Sequence, residues 1–154
     1  MGAALAMPFA GQAIAQTMDP TSQASFDTVM KFMGAMGKGD MKIMLDLMAD
    51  DMVWMNEGDK EMPWIGPWNG KEEILKFLPI FGANFQTTKW ENTDQFAFGD
   101  TVAIFGRMNG ITKKSGKEIG EFSFALRAKV SSGKVVLWNW YENSFAVSKA
   151  FHGG

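Results

Sequence analysis

Apolar residues in the first third of the chain recur at intervals of three and four. After the polar lead Asp19, Pro20, Thr21 and Ser22, the residues Phe26, Val29, Met30, Met33 and Met36 fall on one helix face, which the run Gly37-Lys38-Gly39 stops. Asp40 can cap a second helix, in which Met41, Met44, Leu45 and Met48 repeat that stripe. Residues 50–58, DDMVWMNEG, are the first strand candidate. Residues 62–70, MPWIGPWNG, read as a loop that carries Trp64 and Trp68. A third helix follows, with Asn69 as its N-cap, Glu72 three residues on, and Ile74, Leu75, Phe77, Leu78 and Phe81 as its apolar face. Pro79 is expected to bend it.

From Thr87 the period changes from three-and-four to two. Four strands fit, at roughly 87–98, 101–112, 119–130 and 134–143, separated by Gly99-Asp100, Ser115-Gly116 and Ser131-Ser132-Gly133. Turns this short make sequential strands antiparallel neighbours. Helices first and a strand meander afterwards predict an α+β fold, in which a curved antiparallel sheet wraps three N-terminal helices and leaves a pocket between them.

Composition narrows the function classes. The 154 residues, 46% of them hydrophobic, suffice for one domain, taken as 20–152. A formal net charge of -2 gives no general attraction to nucleic acid or an anionic membrane, and Lys113, Lys114 and Lys117 read as a solvated hairpin tip. Zero cysteines exclude disulfides, thiol nucleophiles and thiolate metal sites, and the single histidine, His152, lies at the chain end. No cofactor or metal is expected. The array Met30, Met33, Met36, Met41, Met44 and Met48 resembles a thioether site for Cu(I), but shares its helix faces with Phe26, Val29 and Leu45 and reads as flexible core filling.

The first sixteen residues, MGAALAMPFAGQAIAQ, are small and apolar, and Ala13-Ile14-Ala15 before Gln16 has the form of a signal-peptidase site. A signal peptide over 1–16 predicts a periplasmic or secreted protein. A basic n-region is missing, since no Lys or Arg precedes Lys31.

The order of motifs resembles the SnoaL-like branch of the NTF2-like superfamily. The resemblance rests on GKGDMKIMLDLMADDMVWMNEG, PWIGPWNGKEEILKFL, AFGDTVAIFGR, a Gly-Lys turn before the last strand, and YENSFAVSKAF, and covers about residues 26–151. It implies a cone of curved sheet closed by three helices, often dimeric, with a deep apolar pocket. Polyketide cyclases and relatives of ketosteroid isomerase and limonene epoxide hydrolase belong to that superfamily. The ketosteroid isomerase pattern, carried over residue by residue, puts Phe32 at the tyrosine donor, Asn56 at the base and Phe124 at or near the second acid. Phenylalanine donates nothing and asparagine is not a base, so that mechanism is not expected, with Glu57 available as a base only by a shift of register. The epoxide hydrolase pattern puts Arg107-Met108-Asn109 on its Arg-x-Asp and Trp140 on its last acid, so one charged group of three survives.

The stretch LWNWYENS, 137–144, then carries the question of chemistry. On a strand Trp138, Trp140 and Glu142 project to one face, and the resemblance turns that face toward the cavity. A carboxyl among indoles would have a raised pKa suited to acid–base work, whereas a strand-end glutamate would meet water, or pair with Arg107 or Arg127. Arg107 and Asn109 share a strand face with Phe105 and Ala103. If that face is the cavity, they hold a ligand oxygen; if not, they are dimer or solvent contacts. Two readings result. One is a non-catalytic ligand-binding or dimerisation module, with Phe32, Trp54, Asn56, Phe124, Trp138 and Trp140 around a small hydrophobic molecule bearing an oxygen function. The other is an isomerase, cyclase or hydrolase in which Glu142 transfers a proton while Arg107 and Asn109 orient the substrate. A homodimer is expected in either.

Overall fold

The computed structural model describes residues 18–154. The expected signal peptide, 1–16, lies outside those residues. Helix α1 (Pro20–Lys38) starts where Asp19 accepts hydrogen bonds from the backbone N–H of Thr21 and Ser22, with Pro20 in the first turn, where its missing N–H is harmless. It runs through Gly37 and ends at Gly39, whose φ of 68° closes the helix with N–H bonds back to Ala35 and Met36. The buried face centres on Val29, Phe32 and Met33, while Phe26, Met30 and Met36 are half-buried flanks. Asp40 caps α2 (Met41–Leu47) through Ile43 N–H at 3.1 Å, as its sequence position predicts. The chain then passes straight into strand β1 (Met48–Asn56), so Met48 is a strand residue and not the last residue of a helical stripe.

The loop expected over 62–70 contains a short edge strand, β2 (Gly66–Asn69), antiparallel to β1 with Trp68 opposite Trp54. Pro67 is tolerated there because an edge strand need not donate every N–H. Helix α3 (Gly70–Asn84) follows. Asn69 is its cap by position, but its side chain makes no capping bond, and Glu73 rather than Glu72 reaches back to Asn69 N–H at 2.6 Å. Ile74 and Phe77 form its buried face, and Leu75 turns out to solvent.

Strands β3 (Phe85–Phe98), β4 (Thr101–Thr112), β6 (Phe122–Ser131) and β7 (Lys134–Glu142) correspond to the four predicted ones, with a two-residue strand β5 (Lys117–Glu118) against β4. Ser132 and Gly133 both have positive φ, 50° and 72°, the geometry of a tight two-residue hairpin between β6 and β7. The sheet order is β2-β1-β7-β6-β4-β3. The sheet is curved, open and mixed, because β1 pairs parallel to β7, where an all-antiparallel sheet was expected. A final helix, α4 (Ser144–Phe151), was absent from the sequence-based expectation. It is capped by Asn143, which accepts from Ala146 N–H, and it buries Val147, Ala150 and Phe151. No helix among the described residues is long and apolar enough to cross a membrane.

Candidate functional site

Alternation along the strands decides which side chains meet the helices. In β4, Val102, Ile104, Gly106, Met108 and Gly110 are buried, and Phe105, Arg107 and Asn109 lie on the opposite, outer face. In β7 a register shift against β6 inserts one residue, so that Val135 and then Trp138, Trp140 and Glu142 point inward. The inward rows place Trp54 beside Trp138, Asn56 beside Trp140, and Glu142 beside Phe124, which itself lies beside Gly106.

These rows form the floor of a cavity of about 600 Å³. Trp54, Asn56, Trp138, Trp140 and Glu142 come from β1 and β7, Trp90 and Met108 from β3 and β4, and Trp64 from the loop before β2. Phe77, Phe81 and Phe85 close one side. The methionines of the first two helices form another: Met33, Met36, Met41 and Met44 all line the cavity, and Met41 is 39% exposed at its rim. The walls are therefore aromatic rings and thioethers.

Three tryptophans are fixed by one repeated device. Trp54 Nε1 donates to Asn56 Oδ1 at 3.2 Å, Trp90 Nε1 to Asn92 Oδ1 at 2.7 Å, and Trp140 Nε1 to Glu142 Oε2 at 2.8 Å. In each case the acceptor stands two residues further on, on the same strand face, so the indole is locked by its own strand. The rings also brace one another. Phe124 stacks on Trp140 with centroids 4.6 Å apart and touches Trp90 at 4.5 Å, while Phe32 packs behind Trp138 at 5.1 Å. Asn56 is held further by its Nδ2 donating to the carbonyl oxygen of Trp64 at 3.2 Å.

Glu142 is the one ionisable side chain among the residues that line the cavity. Burial pushes its carboxyl above the ordinary value of 4.5, against the smaller opposing effect of the Trp140 N–H. Its Oε1 has no hydrogen-bond partner among the described residues. A carboxyl so placed can hold its proton above the ordinary carboxylate range and exchange it with a ligand.

The other expected site residues divide three ways. Trp54, Asn56, Trp138 and Trp140 line the cavity; Phe32 and Phe124 are buried one layer behind it. Arg107 and Asn109 are outside it. Arg107 is 62% exposed and bonds Glu121 at 3.3 Å, and Asn109 donates to Glu118 at 2.9 Å. The pleat sends odd-numbered β4 residues outward, so neither can orient a substrate in this cavity, and the case for a ligand oxygen held by them falls with it. Glu57, the possible substitute base, is exposed and does not line the cavity. Asn143, next to Glu142 in sequence, is spent on capping α4. Trp90 and the lining methionines were missed. The repeat W-x-N/E at 54–56, 90–92 and 140–142 was the available signal for Trp90.

The family model of the SnoaL-like domain matches residues 29–138. The chain belongs to the SnoaL-like domain family. Among solved structures, an NTF2-like protein from Burkholderia xenovorans LB400 superposes with a TM-score of 0.77 at 25% identity, covering 84% of this chain and 97% of that one. A protein described as a SnoaL-like polyketide cyclase from Jannaschia sp. CCS1 superposes at 0.73 with 14% identity, over 91% of this chain and 99% of that one. TerC, co-crystallised with polyporic acid, gives 0.73 at 18% identity, over 84% and 98%. No curated protein matches the chain. This SnoaL-like domain thus shares its α+β architecture with proteins whose sequences have diverged almost completely from it.

Proposed function

We propose that this SnoaL-like domain takes an apolar small molecule into the cavity between sheet and helices, with a polar function of the ligand meeting Glu142. The observation that carries this reading is the position of Glu142 as the single ionisable group in walls of tryptophan, phenylalanine and methionine. A pocket of this volume suits a small organic molecule, and apolar walls with few polar groups are the usual composition of such sites. Five cavity tryptophans make the test direct. Neutral aromatic probes such as 2-acetylnaphthalene should quench the fluorescence saturably, and Met41→Trp at the rim should weaken that binding without changing the fold. Linear, non-saturable quenching, or binding indifferent to a bulkier rim, would remove the proposal.

A second reading is favoured by the raised pKa of Glu142. In it the same carboxyl removes a proton from a bound carbonyl compound and returns it, which needs one acid–base group rather than a pair. Exchange of the α-hydrogen of a bound ketone for deuterium, followed by NMR, should be faster with the wild type than with Glu142→Gln. Equal rates would leave binding alone.

The outer sheet face supports the expected homodimer. Phe96 is 60% exposed there, Phe105 44% and Tyr141 43%. Aromatic area of this kind on an exposed sheet face suits a second copy of the chain.

A further inference from the structure

The cavity joins two features that a neutral ligand does not use. Five indoles line it, and an indole presents negative charge on its faces and positive charge at its edge. The N–H edges of Trp54, Trp90 and Trp140 are already occupied by Asn56, Asn92 and Glu142, while those of Trp64 and Trp138 have no partner among the described residues. Each amide spends one of its two N–H donors: Asn56 Nδ2 bonds the Trp64 carbonyl and Asn92 Nδ2 lies 3.8 Å from Met33 Sδ. No lysine, arginine or histidine is among the lining residues; Lys38, between the lining Gly37 and Gly39, is exposed to solvent. Arg107 and Lys89 are tied to Glu121 on the outer face, and Lys113 and Lys114 are held at Gly82 O and over the Phe151 ring. The polar atom left unpartnered on Glu142 is Oε1, an acceptor. Polarisable thioethers from Met33, Met36, Met41, Met44 and Met108 complete the wall.

We infer that the cavity selects a hydrophobic organic cation, an amine or quaternary ammonium on an aromatic or aliphatic body, over a neutral molecule of the same shape. This rests on the reading of the cavity as a ligand site and names the class of ligand it takes. The cation is met by the indoles of Trp90 and Trp140, which keep accessible ring area where Trp54, Trp64 and Trp138 are buried, and by the carboxylate of Glu142. An anion would meet the same rings and the same carboxylate with no compensating cation among the lining residues, so carboxylate and phosphate ligands are disfavoured.

Glu142 also couples binding to pH. No charged side chain contributes to the shift of its carboxyl; only burial and the Trp140 indole do. From the strands on either side Glu142 meets Phe124 on β6, and its neighbour Trp140 meets Asn56 on β1, neither of them titratable. A bound cation stabilises the ionised carboxylate, so binding expels the Glu142 proton wherever the empty cavity holds it.

The test pairs benzyltrimethylammonium with neopentylbenzene, which replaces the charged nitrogen by carbon at the same shape. Tryptophan quenching is titrated for both, in wild type and Glu142→Gln, from pH 5 to 8. The expected result is at least a tenfold preference for the cation at pH 8, and a cation affinity that falls as pH is lowered through the Glu142 titration. The neutral isostere should be pH-independent. Glu142→Gln should lose at least tenfold in cation affinity, with the neutral isostere unaffected, which rules out a folding defect as the cause. Equal or tighter binding of neopentylbenzene overturns the inference and leaves the ligand-site reading standing. Failure of both molecules to quench overturns both.

Discussion

Replacing Gly106 by alanine tests the packing on which the cavity floor depends. Gly106 sits on the inward face of β4, opposite Asn92 on one side and Phe124 on the other. A Cβ built there would overlap the carbonyl oxygen of Glu91 and stand 2.5 Å from Phe124 Cζ and 2.6 Å from Cε1, where real Cβ contacts stay beyond 3.0 Å. The carbonyl belongs to the paired backbone of β3 and cannot rotate away. The ring cannot retreat freely either, because it is stacked on Trp140 and against Trp90. Overpacking of a full core costs about 1–3 kcal/mol, and relief of glycine's backbone entropy returns about 0.5–1 kcal/mol. Because neither neighbour can yield, the upper end of that cost applies, and about 3 less about 1 leaves an expected loss of about 2 kcal/mol, or about 4–8 °C in Tm for a chain of this size. Urea unfolding followed by tryptophan fluorescence should show the lower midpoint at an unchanged slope. Gly34→Ala is the control: it lies exposed inside α1 with nothing within 4 Å, and should gain up to about 1 kcal/mol. A Gly106→Ala protein as stable as the wild type would refute the stacked arrangement of Phe124 under Trp140.

Other consequences are as direct. Because burial raises the Glu142 carboxyl above 4.5, the native state carries no cost from it below that pH and loses stability as pH rises through the folded value; Glu142→Gln should therefore raise Tm at pH 7.5 but not at pH 4, and an equal change at both would contradict the desolvation. Asp59 is held down to about 2, first by the Ser148 hydroxyl, then by Glu61 N–H and His152, and so ties α4 to the loop after β1. Its contribution is present above 3.8 and lost as pH falls through about 2, so the Tm gap between wild type and Asp59→Asn should close across that interval; hydrogen exchange at Val147 and Ala150 in α4 should report the same loosening. If the outer sheet face pairs two copies, Phe105→Asp should give a monomer in sedimentation velocity, and an unchanged mass would move the interface elsewhere.

Much of this fold was legible in short stretches. Asp19 and Asp40 cap their helices, Ser132-Gly133 makes the hairpin, and the change of period from helical to alternating separates helices from sheet, because each depends on a few neighbouring residues and on water. The two faces of β4 were legible too: Val102, Ile104 and Met108 are apolar and fall in one phase, while Arg107 and Asn109 stand in the other. That local signal was the right one, and the motif match that drew Arg107 and Asn109 toward a catalytic role was not. Helix α4 was hidden because SFAVSKAF is short and its cap, Asn143, continues a strand without a break.

By itself the sequence determined the first three helices, the five long strands, most of their buried faces and the superfamily. Tertiary structure alone decided that β1 runs parallel beside β7, which brings Trp54 and Asn56 next to Trp138 and Trp140 from more than eighty positions away. It also decided that the methionines of α1 and α2 line a cavity as well as filling a core, and that the carboxyl of Glu142 is drawn out of water. Desolvation depends on everything packed around a group, and no local pattern encodes that sum.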